Sequence, residues 1–434
     1  MCQAGQLMNS LPLLILERFT KFTLKDYCYK MKEQKYINPF YIFFLTIPTG
    51  LSQGFVTVAL PYLLIQHGFT VAQASAVVAL GFSANVWRFL WGPIVDISLS
   101  LKKWFWISLV LCTSSLLLLC FNSFNVKEQA FITLIVFVSQ VAGTFMLLPV
   151  NGFMAKCIKE NQKGKASGWY QAGSLVGVGA GGGAGLWFSA HFGVVIAGLI
   201  LCVSSVLFSL VVLLIKDVPH EKGKTIINEL VYIGKDILSM LKVPVALLVI
   251  FLILLPIGSG AAANLWSAIA KDWNTSADTV ALVTGILSGF VSAIGCVIGG
   301  FVIDRWGNWI AYLGSGILCA VITLVMALMP LEPYVYIVGV LAYTFGLGLI
   351  NAAFTSVILF AIGKRNVATK YSLLASLGNL PVVYMTVFDG WAHDKYNSKY
   401  MLLMEAAAGI LFVIIFSIIL KTLKNKNLIP VTAE

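Results

Sequence analysis

Arg88 stands alone as a cation inside a long apolar stretch, eight positions before Asp96. At 1.5 Å per helical residue the two lie about 12 Å apart along one helix. A guanidinium at that depth in hydrocarbon costs at least about 2.5–3.5 kcal/mol and marks a solute pathway by default. Its two-pronged donor set suits carboxylate or phosphate, so Arg88 is expected to contact an anionic solute. Bonding to helix carbonyls, or reaching to the membrane surface, is its structural alternative. Amides in other apolar stretches could complete the site. Thr46, Thr49, Gln53 and Thr57 share one helical stripe, as do Gln140, Thr144 and Asn151, and again Tyr343, Asn351 and Thr355. In lipid such groups must face protein or water. Gln53, Gln140, Asn264, Asn351 and Asn379 are the expected solute contacts, with interhelical hydrogen bonding as their competing role. Asp389 and Glu405 are embedded acids, expected near helix ends, and are the candidates for proton coupling.

Other chemistries find no support in the spacing. The eight cysteines sit mostly singly in apolar runs, and no His–His or Cys–His spacing suits a metal. No Ser–His–Asp grouping stands out, so no catalytic residue, enzyme activity or cofactor is expected. His393, next to Asp394, reads as an interfacial loop histidine. Gly173, Gly177, Gly181 and Gly185 recur every four residues on one helix face, which suits close helix packing. A phosphate-binding glycine loop would instead follow a strand.

The elements that must position these residues are membrane helices. Of 434 residues, 59% are hydrophobic and 11% charged, whereas a soluble domain has roughly 25% charged. Spans of about 20 apolar residues are expected near 40–64, 73–95, 104–121, 129–151, 166–190 and 193–215, then 244–270, 278–303, 309–329, 334–360, 368–389 and 400–420. The fold class expected is thus an all-α membrane protein of twelve spans. Its parts are a six-helix bundle over 40–215, a linker over 216–243 and a second bundle over 244–420. Residues 1–39 and 421–434 form the terminal segments, and 1–30 read as an extension upstream of a natural start at Met31. Ile226, Leu230, Ile233, Ile237 and Leu241 give the linker an amphipathic helix. With the N-terminus inside, 24 of the 29 Lys and Arg fall on the inner side, so both termini are expected in the cytoplasm. That asymmetry accounts for the net charge of +11 without a nucleic-acid partner.

Gly92-Pro-Ile-Val-Asp96 closes the second span, and Gly300-Phe-Val-Ile-Asp304-Arg305-Trp-Gly307 closes the eighth. This layout resembles the major facilitator fold, whose two six-helix halves are parallel repeats. The glycine–aspartate stretches resemble its loop motif, complete in the second copy and lacking the Arg and second Gly in the first. The resemblance implies that Asp96, Asp304 and Arg305 act in gating, the carboxylates facing helix N-termini. Arg88-Phe-Leu-Trp-Gly-Pro-Ile-Val-Asp96, Lys165-Ala-Ser-Gly-Trp-Tyr-Gln-Ala-Gly173 and Ala368-Thr-Lys-Tyr-Ser-Leu-Leu-Ala-Ser376 are similar to signatures of the AmpG-like permeases. Arg88 replaces that group's lysine, and Ser174 stands where its muropeptide permeases commonly have arginine.

These readings give a secondary carrier, working by alternating access on a small anionic solute of muropeptide-like kind. It would act as a monomer in lipid of a bacterial inner membrane, with protons as possible partners. A siderophore uptake carrier, a drug or metabolite efflux pump, and a non-transporting membrane sensor are the alternatives.

Overall fold

Apolar runs of this length satisfy their backbone polar groups in lipid only as helices or closed barrels. Among the described residues every regular element is helical. The computed structural model describes residues 36–159, 162–217, 243–362 and 367–425, together with 231, 234, 235 and 238. The N-terminal set comprises α1 (Phe40–Gln66), α2 (Val71–Ser98), α3 (Leu101–Phe121), α4 (Gln129–Cys157), α5 (Lys163–Phe192) and α6 (Val194–Ser209). In the C-terminal set are α7 (Pro244–Ile253), α8 (Ala277–Trp306), α9 (Asn308–Leu328) and α10 (Pro333–Ile362). There follow α11, in two pieces (Val367–Leu377 and Leu380–Lys395), and α12 (Ser398–Asn425). Among the described residues, nine helices are long and apolar enough to cross a membrane. Helices α2 and α5 reach 28 and 30 residues but are more polar. The extension over 1–30, the linker's amphipathic helix and most of the C-terminal tail lie outside the described residues.

One expectation needs correction: 244–270 is not a continuous helix. Helix α7 ends at Ile253, and helical turns resume only at Ala261. Pro256 removes a backbone donor, and Gly258 and Gly260 take positive φ of 57° and 79°. A side chain at Gly258 would run into Ile350. The tyrosine hydroxyl of Tyr384 donates to the freed Leu254 carbonyl at 2.8 Å. Irregular backbone at membrane depth survives where it packs in protein or lines a cavity, and this break does both.

The apolar core divides unevenly along the bundle. At the end carrying residues 40 and 425, here the proximal end, each helix set has its own core. One is built around Phe105, Met146 and Phe153, the other around Leu252, Val357 and Phe416. Toward the opposite, distal end a single core runs through both sets, joining Phe55, Leu64 and Val77 to Trp266, Trp273 and Tyr336.

The glycine stripe of α5 lies against α1. A Cβ on Gly177 would sit 2.6 Å from the Ile47 carbonyl oxygen, and one on Gly181 2.6 Å from the Leu51 Cα. The offset glycines serve another partner: a Cβ on Gly183 would sit 2.7 Å from the Ala281 oxygen of α8. Glycine on two faces therefore lets α5 touch both helix sets.

Candidate functional site

A cavity of 260 Å³ lies beside the α7 break. Leu255, Ile257, Gly258, Ser259 and Gly260 of the break form one wall, and Phe82 of α2 joins from the other helix set. Its amides are Asn264, Asn351 and Asn379, three of the five expected from the sequence. They come from the segment after α7, from α10 and from α11, so only folding brings them together. Asn264 is buried and donates to the Thr386 hydroxyl at 3.1 Å. Asn379 turns its amide nitrogen back to the Ala375 carbonyl at 2.9 Å, which leaves its carbonyl oxygen as an acceptor. Tyr312 adds a phenol, and the rest of the lining is largely apolar. Such a site can hold a small molecule by shape and fix it through a few hydrogen bonds.

The other expected contacts fall elsewhere. Buried Gln140 donates to the Ser52 hydroxyl at 3.2 Å, and Ser52 pairs with Ser139 at 3.0 Å. Its polar group thus links α4 to α1 inside the N-terminal set. Gln53 is half-buried on α1, and neither glutamine is among the residues lining the cavity. Arg88 is half-buried on α2, six residues closer to the proximal end than Phe82. It lies near Tyr170 of α5, which in turn lies near Tyr371 of α11. Among the described residues no acid pairs with Arg88. Asp304 and Arg305 are exposed at the proximal end of α8, and Asp96 lies in the last turn of α2.

Asp389 and Glu405 lie within two turns of the distal ends of α11 and α12. Both are buried: Asp389 has no exposed surface and Glu405 only 8%. Tyr343 donates its hydroxyl hydrogen to Glu405 Oε1 at 2.7 Å. The second oxygen of Glu405 and both oxygens of Asp389 are buried without a hydrogen-bond partner. The separations Asn351–Tyr343 and Asp389–Glu405 in sequence gave no sign of this cluster. The missed signal was Pro256-Ile-Gly-Ser-Gly260, where a proline and two glycines interrupt an apolar run.

The distal end holds a polar assembly of its own. Asp394 of α11 accepts the backbone N–H groups of Val71 and Ala72, at 3.0 and 2.9 Å. Thr70 and Gln73 complete a reciprocal cap on the same helix start, so the first three orphan donors of α2 are satisfied. His393 lies 2.8 Å from Asp272 and 3.3 Å from Asp394, and the Ser398 hydroxyl also donates to Asp272. Burial alone would push the Asp272 carboxyl up, but these hydrogen bonds and the charges of His393 and Lys271 hold it below the usual range.

A helical bundle with a solute-sized cavity, broken helix walls and buried unpaired acids defines a membrane transporter class. The chain belongs to the Major Facilitator Superfamily, whose model matches residues 42–386. It is a multi-pass membrane transporter of the kind that carries small solutes. Among solved structures, it is similar to the nucleoside transporter NupG, at 15% identity and a TM-score of 0.67, over 89% of this chain and 100% of that one. It also resembles the POT family transporter PepTSo, at 14% identity and a TM-score of 0.66, over 89% and 98%. The D-xylose-proton symporter aligns at 15% identity and a TM-score of 0.66, over 87% and 97%. No curated protein sequence matches the chain.

Proposed function

We propose that this protein is a secondary carrier that moves a small organic anion by alternating access, the body of the solute sitting in the 260 Å³ cavity. The carrying observation is that cavity, with three amides from three segments and α2 closing one side. Two proximal cores and one shared distal core support a state closed at the distal end. Rocking of the sets would open that end. Arg88, without an acid partner among the described residues, is assigned the solute's charge on the proximal path. Asp96, Asp304 and Arg305 are assigned to the proximal gate. The charge asymmetry supports a twelve-span chain with bundles over 40–215 and 244–420 and both termini in the cytoplasm of a bacterial inner membrane. The three sequence signatures support placement among AmpG-like permeases, acting as monomers.

A neutral polar solute is the second reading, favoured because no charged side chain is among those lining the cavity. A binding panel on purified protein separates the two. Muramyl dipeptide represents the anionic class; a nucleoside, a pentose and a neutral dipeptide amide represent the other. Thermal stabilisation by muramyl dipeptide, lost in Asn264→Ala, is expected. Stabilisation by the neutral compounds alone would replace the anion reading. If an added solute still stabilises the protein when Asn264, Asn351 and Asn379 are all alanine, its site is not this cavity.

A further inference from the structure

Cations are scarce at the distal end, and they are unevenly spread. Among the described residues its lysines and arginines are Lys127, Lys271, Lys395 and Lys399. Three of the four share one corner. Asp272 is bonded to both His393 and Ser398. That brings its neighbour Lys271 toward Lys395, at the end of α11, and Lys399, in the first turn of α12. The acids beside them are already engaged. Asp272 serves His393 and Ser398, while Asp394 serves the start of α2 and His393. Among the described residues none of the three lysines forms an ion pair. Like charges held together repel one another, so an anion from outside the chain would stabilise this corner.

Aromatic rings mark the depth of the corner. Trp391, Tyr396 and Tyr400 are all exposed. The Lys395 ammonium lies 5.0 Å from the centre of the Trp391 ring and 5.4 Å from that of Tyr396. Tyr396 stands edge-on to Trp391 at 6.2 Å and meets Tyr400 at 5.7 Å. Rings with an apolar body and a polar edge settle at the headgroup level of a bilayer. Below them the exposed face of α11 continues through Val387 to Tyr384. Tyr384, Val387, Trp391 and Lys395 follow each other by three or four residues, so they form one stripe. The Tyr384 hydroxyl is satisfied by the Leu254 carbonyl, and its ring offers only an apolar surface. Tyr384 lies about 16 Å along the helix from Lys395, and half of the hydrocarbon layer is about 15 Å thick. The stripe is one leaflet long, cationic at the surface and apolar beneath.

We propose that this corner binds an anionic phospholipid of the distal leaflet, its phosphate among Lys271, Lys395 and Lys399 and an acyl chain along Trp391, Val387 and Tyr384. The lysines select charge, and the stripe selects a lipid over a free anion. Basic residues clustered at a membrane surface favour anionic headgroups. With three of them, the preference over a zwitterionic headgroup should be roughly tenfold to a hundredfold. The site is independent of the solute cavity and of the carrier reading above.

The test uses full-length protein, delipidated in a neutral detergent, with dioleoyl phosphatidylglycerol and dioleoyl phosphatidylcholine as probes. Native mass spectrometry should show phosphatidylglycerol bound at concentrations ten to a hundred times lower than phosphatidylcholine. Lys271→Gln/Lys395→Gln/Lys399→Gln should lose that preference, whereas Lys127→Gln and the triple arginine variant should keep it. The lipid should raise the melting temperature of wild type, and millimolar inorganic phosphate should not. In nanodiscs, phosphatidylglycerol brominated on its acyl chains should quench more tryptophan fluorescence in wild type than in Trp391→Phe. Equal binding of the two lipids by wild type overturns the proposal, and because that comparison needs no variant, misfolding cannot hide it. A preference that survives in the triple glutamine variant places the lipid elsewhere and overturns it too. Stabilisation by inorganic phosphate equal to that by the lipid would make this a free-anion site and remove the lipid from it.

Discussion

Asp394 on α11 accepts the backbone N–H of Val71, the first residue of α2, at 3.0 Å across 323 residues of chain. A carboxylate of the C-terminal set thereby caps a helix of the N-terminal set, where the helix dipole favours negative charge. Gly390 makes the approach possible, because a side chain there would collide with Ser75. In the carrier proposed above, this bond helps to hold the distal end shut and breaks when that end opens.

Asp394→Asn should therefore favour distal opening. A charged cap is worth about 0.5–2 kcal/mol, so the open-to-closed ratio should rise by about twofold to thirtyfold. Spin labels at Lys127 and Lys395, both exposed, report it through electron–electron distance measurements. A longer, broader distribution in the variant is the expected outcome; unchanged distances would show the cap to be incidental.

The α1–α5 contact predicts a contrast between glycines. Gly181→Val must displace the Leu51 backbone and should cost about 1–3 kcal/mol by overpacking. Gly300→Ala has nothing within 4 Å of its new Cβ and should be neutral or slightly stabilising. Thermal unfolding in detergent compares them, and similar losses in both would refute the packing assignment.

Arg88→Gln should weaken binding of an anionic solute by roughly ten- to a hundredfold, since a charge-assisted hydrogen bond contributes about 1.5–3 kcal/mol. Arg88→Lys should retain most affinity because the charge remains. Direct titration of purified protein decides the matter. Equal affinities for Arg88→Gln and wild type would leave the side chain a structural role near Tyr170.

Asp272 sets a pH dependence at the distal end. Its folded-state carboxyl ionises below its ordinary range, through the hydrogen bonds of His393 and Ser398 acting against burial. The contribution is therefore full above the ordinary carboxylate range and fades as the pH falls through the depressed value. Wild type should melt higher than Asp272→Asn at neutral pH, and the gap should close on acidification. A gap that grows toward low pH would reverse the assignment.

The parts of this protein visible in its sequence are those written locally. Hydrophobic runs place the helices within a few residues, as for α1 from Phe40 and α8 to Trp306. Four-residue spacing marks the glycine face of α5, and the polar residues Asn264, Asn351 and Asn379 stand out because lipid tolerates few of them. The break after Ile253 was written as Pro256, Gly258 and Gly260, yet hydropathy averages over it.

Helix rotation and partnership were decided only in three dimensions. Lipid tails are as apolar as leucine, so Leu116, 1% exposed, and Leu213, 60% exposed, look alike in the sequence. The same ambiguity hid whether Gln140 faces a solute or Ser52. It also hid that Asp389 and Glu405, near the ends of two different helices, are close neighbours. Packing of α10, α11 and α12 around the broken segment buries both, leaves three of their four oxygens unpartnered and turns Tyr343 toward Glu405. A helical period assigns a residue to a face of its own helix, but which helix meets that face is set by long-range packing.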